Sequence, residues 1–94
     1  MADGKVYLTG YMEVPLERIA AVTAALPHHI ALTRAEPGCI AFSVTPSLDD
    51  PTRFTVAETF RDQASFDAYQ RRTASSAWAR ITEGLPRHYT ITTD

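Results

Sequence analysis

Six prolines, Pro15, Pro27, Pro37, Pro46, Pro51 and Pro86, punctuate a chain of 94 residues. Proline holds φ near one value and has no backbone N–H, so it interrupts helix interiors and central strands. Each one therefore marks an element boundary, and the stretches between them are readable. A chain of this length makes one domain, with a single modest core that association would help to complete. The core is expected to span about residues 5–92, within a domain taken as 1–94.

Lys5–Val14 alternates: Val6, Leu8, Met12 and Val14 share one parity, and Tyr7, Thr9 and Tyr11 the other. Period-two alternation predicts a strand, and large residues on both faces predict a central strand covered on both sides. Gly10 within it signals a bulge or a close backbone approach. Pro15–Leu26 carries Leu16, Ile19, Val22 or Thr23, and Leu26 at helical spacing. Pro27 would kink that helix, and proline suits a first helical turn, so a second short helix is expected over Pro27–Glu36. Pro37-Gly38 ends it.

Cys39–Thr45 alternates again, with Ile40, Phe42 and Val44 on one parity. Turn formers fill Pro46–Pro51, and Thr52–Phe60 completes a β-hairpin. Asp62 is a helix N-cap ahead of Phe66 and Tyr69. Ser75 or Ser76 caps a further helix carrying Trp78 and Ile81, closed by Gly84 and Pro86. Leu85–Thr92 is the last strand. The order is β-α-β-β-α-β, the α+β, ferredoxin-like arrangement of an antiparallel sheet with helices on one face. A sheet whose second face stays apolar or aromatic needs cover, and an isologous contact with a second copy is the simplest source.

Composition narrows the function. Net charge is −2, with signs interspersed, which argues against nucleic acid as a partner. No apolar run approaches the ~18 residues of a membrane span. The start of the chain lacks the cationic-then-apolar pattern of a signal peptide, and one cysteine, Cys39, excludes an internal disulfide, so a cytoplasmic setting is expected. Cys39 reads as a small buried hydrophobe. No His/Cys/carboxylate spacing resembles a metal motif, and no phosphate loop or dinucleotide fingerprint is present.

The run Glu36-Pro-Gly-Cys39 and the strand after it, then Asp49-Asp-Pro-Thr-Arg-Phe54, a strand holding Glu58, and Arg61-Asp62 opening a helix, together resemble the antibiotic biosynthesis monooxygenase domains. The resemblance covers roughly Lys5–Ile91. It implies a dimeric α+β barrel with a pocket in each subunit between helices and sheet. It also implies oxidation of quinols or polycyclic phenols by O2 with no metal, flavin or other cofactor. The haem-degrading branch relies on an asparagine, a tryptophan and a histidine; this chain has no asparagine, so haem degradation is set below the other readings. A dimeric small-molecule-binding module and a lactone isomerase on the same barrel remain alternatives.

Such oxidation requires a proton acceptor for the phenol, donors for a developing oxyanion, and a dry pocket with flat walls. Glu58 shares its parity with Phe54, Val56 and Phe60, which puts a carboxylate on an apolar strand face, where an unpaired charge is costly. It is a candidate proton acceptor or histidine-orienting group, and equally a carboxylate satisfied within the structure. His29 is a candidate base on the face formed with Leu32, Thr33 and Glu36. His88, in the last strand, could face the pocket or a partner subunit. Trp78, Phe42, Tyr11 and Phe54 are the candidate walls for a small aromatic substrate.

Overall fold

The computed structural model describes residues 4–94. In chain order the elements are β1 (Val6–Glu13), α1 (Leu16–Arg34), β2 (Cys39–Pro46), β3 (Arg53–Phe60), α2 (Gln63–Ala74), α3 (Ala77–Ile81) and β4 (Arg87–Thr93). The four strands form one antiparallel sheet in the order β2-β3-β1-β4. The helices cover one face of it. This is the expected ferredoxin-like arrangement, with the second helical stretch split in two.

Alternation in the strands sets the core. Val6, Leu8 and Met12 of β1 and Phe54, Val56 and Phe60 of β3 point toward the helices and are buried. Val22 and Leu26 of α1 and Phe66 and Tyr69 of α2 close over them. The helix starts follow from local chemistry. The Asp62 carboxylate accepts from Ser65 N–H at 2.8 Å, and Ser76 Oγ accepts from Ala79 N–H at 3.3 Å. Each satisfies a donor that has no partner inside its helix.

Three features differ from the sequence reading. First, α1 is a single helix through Pro27 rather than two. Val22, Leu26, His29 and Thr33 form one buried seam along it, at the four- and three-residue spacing of one helix face. Packing along that seam outweighs the ~3 kcal/mol that an interior proline costs, and Pro27 itself is exposed. Second, Ile40 is 53% exposed. A register shift between Cys39 and Ala41 leaves it as the extra residue of a bulge, while Phe42 and Val44 keep their inward parity. Third, only the helix face of β1 is covered within the chain; Tyr7 and Tyr11 stand half-buried on the open face.

Gly10 meets the close-approach expectation. Its φ is +147°, and a Cβ there would lie 2.0 Å from the His88 carbonyl oxygen. Only glycine lets β4 sit this close to β1. No helix among the described residues is long and apolar enough to cross a membrane.

Candidate active site

Between the helices and the sheet lies a concave pocket of about 590 Å³, within the size range of small-molecule sites. Its floor is the inward face of the strands, including Leu8, Phe42, Val56 and Glu58. Its walls are His29 from α1, Tyr69 from α2, Trp78 from α3, and Arg87 and Tyr89 from β4.

Glu58 follows Phe54 and Val56 on the inward parity of β3, so its carboxylate enters this space and is only 6% exposed. Tyr69 donates to Oε2 over a long 3.4 Å, and Oε1 is buried with no partner. Burial raises the Glu58 pKa from the ordinary carboxylate range to about 7, against the smaller opposing effect of the Tyr69 hydrogen bond. Burial also pushes the Tyr69 phenol far above its usual range, with the nearby Glu58 charge adding to the shift. Tyr69 therefore stays protonated and remains a donor.

His29 is on the buried seam of α1 and is 3% exposed. Its imidazole stacks on the Trp78 indole, with centroids 4.6 Å apart and planes 6° from parallel. Phe42 meets it edge-on at 5.4 Å. Burial, followed by the charges of Arg72 and His28, lowers its pKa to about 4, so it is neutral near pH 7. Nδ1 is buried without a hydrogen-bond partner. Arg72 stiffens this wall: it pairs with Glu36 at 2.8 Å and donates to Thr33 Oγ1, whose hydroxyl in turn donates to the His29 carbonyl.

Among the described residues three buried side-chain polar atoms lack a partner: His29 Nδ1, Glu58 Oε1 and Thr73 Oγ1. All three residues line this one pocket. Buried polar atoms are nearly always paired, so such a concentration marks a place built for hydrogen bonds to something else.

The sheet thus brings together His29, Glu58, Phe42 and Trp78. It does not bring His88 or Tyr11 to them. β4 pairs with β1 so that His88 lies beside Tyr11 on the opposite face. There the two rings stack at 4.6 Å, and His88 Nε2 is 2.5 Å from Glu13 Oε2. The Arg53 guanidinium lies 4.6 Å from the Tyr11 ring centroid. Phe54 is 1% exposed, packed in the core rather than lining the pocket. Tyr69, Tyr89, Thr73 and Arg87 line the pocket but escaped the sequence reading. For Arg87 and Tyr89 a signal existed: they share the parity opposite to His88. No group of three or more His, Cys, Asp or Glu among the described residues is placed to hold a metal.

A ferredoxin-like α+β domain with an aromatic-walled pocket holding a buried carboxylate and a neutral imidazole is the class these features define. Residues 5–81 match the family model of the antibiotic biosynthesis monooxygenases, and the chain belongs to that family. Solved structures share the fold at low identity. A "putative antibiotic biosynthesis monooxygenase" from Nitrosomonas europaea superposes with a TM-score of 0.85 at 22% identity, covering 100% of this chain and 93% of that one. A Bacteroides thetaiotaomicron protein of unknown function, described as a possible oxidoreductase, gives 0.80 at 19% identity, covering 99% and 100%. A Methanosarcina mazei conserved protein gives 0.80 at 21% identity, covering 97% and 93%. No curated protein sequence matches the chain significantly.

Proposed function

We propose that this protein is a cofactor-independent monooxygenase that oxidises a small aromatic phenol or quinol with O2. The observation that carries the reading is Glu58 Oε1, a carboxylate oxygen without a partner in an aromatic-walled pocket. Family membership supports the reaction class.

Ground-state O2 is a triplet, and its direct reaction with a singlet organic molecule is spin-forbidden. A phenolate gives up one electron far more readily than a phenol. Glu58 Oε1 accepts the substrate hydroxyl proton, a task suited to a base poised near 7. One electron passes from phenolate to O2, and the phenoxyl and superoxide radicals combine to form a C–O bond at a ring carbon. Return of the proton gives a hydroperoxide, and loss of water leaves the quinone. One oxygen atom enters the product and the other leaves as water, with every electron coming from the substrate. The neutral imidazole of His29 supplies a hydrogen bond near the developing charge, while the Tyr69 hydroxyl keeps its proton directed at Glu58 Oε2. The apolar floor excludes competing water.

The test is O2 uptake by metal-stripped protein with naphthalenediols and anthrone-like phenols, set against an autoxidation blank, with mass analysis of products. Uptake above the blank, oxygen in the product and loss on Glu58→Gln are the expected results. Binding without uptake would replace this reading with a binding module or an isomerase.

We propose separately that the protein is a homodimer, with a second copy covering the open sheet face that carries Tyr7, Tyr11 and His88. Sedimentation equilibrium should then give twice the 10.4 kDa chain mass. A monomer at micromolar concentration would remove this part.

A further inference from the structure

Arg87 opens β4 on the same inward parity as Tyr89 and lines the pocket. Its guanidinium is held in place by neutral acceptors. Nη2 donates to Thr82 Oγ1 at 2.8 Å and to the Thr82 carbonyl at 3.3 Å, and Nη1 donates to the Leu85 carbonyl at 3.2 Å. Thr82 is fully buried, so the anchor is firm. The ion pairs among the described residues involve Arg53, Arg61, Arg72 and His88. None involves Arg87. No carboxylate therefore pairs with this positive charge, which is anchored at the exposed edge of the pocket close to the Tyr89 hydroxyl, with Nε–H and one Nη1–H not used by the Thr82 and Leu85 contacts.

The opposite end of the pocket is different in kind. Glu58 lies beside Leu8 of β1, while Arg87 lies beside Met12. Four residues of strand separate these levels by about 13 Å. Buried polar atoms without partners, Glu58 Oε1 and His29 Nδ1, occupy one end, and an anchored cation occupies the other. Glu83 also lines the pocket and, like Arg87, is exposed; the two form no ion pair, and solvent screens both charges.

We propose that Arg87 is an anion-recognition residue and that the substrate is an aromatic hydroxy acid, its hydroxyl directed to Glu58 and its carboxylate to Arg87. This rests on the phenol-oxidising reading and adds the acidic group to it. A preorganised guanidinium with free N–H groups binds a carboxylate better than an isosteric amide, because the bond is charge-assisted and the side chain is already ordered.

The test is isothermal titration calorimetry of the intact protein under anaerobic conditions. The probes are a hydroxynaphthoate with its hydroxyl and carboxylate at opposite ends of the fused rings, its neutral carboxamide, and the naphthoate lacking the hydroxyl. Wild type should bind the hydroxy acid at least about tenfold more tightly than the carboxamide. Arg87→Met should abolish that preference and leave carboxamide affinity within about twofold, Arg87→Lys should retain part of it, and Glu83→Gln should tighten the hydroxy acid modestly. Equal affinities in wild type, or a preference that survives Arg87→Met, would overturn the role of Arg87 and leave the phenol pocket standing. Should Arg87→Met fail to fold, the wild-type comparison decides alone. If the naphthoate without a hydroxyl binds as tightly as the hydroxy acid, the Glu58 end of the reading falls instead, and if no probe binds, both fall.

Discussion

The imidazole of His29 lies flat against the indole of Trp78, with centroids 4.6 Å apart and planes 6° from parallel. The contact joins the long first helix to the five-residue α3 and seals one wall of the pocket. It also removes a face of the imidazole from water, and burial is the largest cause of the low His29 pKa.

Trp78→Ala should therefore let water reach His29 and raise its pKa from about 4 toward the ordinary value of 6.5. Histidine NMR titration of the two proteins checks this. An unchanged pKa would show that the Arg72 charge, not burial, governs the group.

Glu58 and His29 act oppositely on stability. The Glu58 pKa is raised from 4.5 to about 7 on folding, so its contribution is fully present below 4.5 and is lost as pH rises through about 7. His29 is lowered from 6.5 to about 4, so its contribution is present above 6.5 and is lost as pH falls through about 4. Each full swing is on the order of 3 kcal/mol. Between pH 4.5 and 6.5 the two should largely cancel. Glu58→Gln removes one arm: unfolding at pH 8 should require more urea than for wild type, by on the order of 1–3 kcal/mol. At pH 5 the difference should be much smaller. A variant no more stable than wild type at pH 8 would mean the carboxylate is not desolvated.

Activity should follow the same carboxylate. The proton-accepting form of Glu58 grows in as pH rises through about 7, so kcat/KM should rise through that value. Glu58→Gln should lower it by roughly 10²–10⁴-fold. Tyr69→Phe removes the hydrogen bond that favours the carboxylate, and should move the midpoint of the profile to higher pH. A profile unmoved by Tyr69→Phe would count against the contact.

Gly10→Ala is expected to be severe. The new methyl would collide with the His88 carbonyl, and the backbone lies at φ +147°. A loss above about 2 kcal/mol is expected, because clash and strain add. Chemical denaturation measures it, and a near-neutral outcome would show that β4 can move away from β1.

Much of the fold was legible because its causes are local. Alternation in Val6–Met12 and Phe54–Phe60 needs only the two-residue period of a strand. The carboxylate of Asp62 and the hydroxyl of Ser76 find donors three residues onward. The anomaly of Glu58, a carboxylate on an apolar parity, could also be read directly, and its pocket position follows from that parity. Pro27 could not be read, because the proline penalty is local whereas the seam of Val22, Leu26, His29 and Thr33 that outweighs it requires the sheet beneath. Ile40 likewise kept its parity on paper and lost it to a bulge.

The histidines divide the two kinds of knowledge most clearly. The sequence by itself determines that His29 lies on a helix and His88 on a strand, each next to apolar or aromatic neighbours. Only tertiary structure decides that Trp78 and Phe42 enclose His29, and that pairing of β4 with β1 turns His88 to the open face beside Tyr11. Secondary structure depends on neighbours a few residues away. The surroundings of a titratable side chain depend on groups brought together from distant parts of the chain, and those surroundings govern its chemistry.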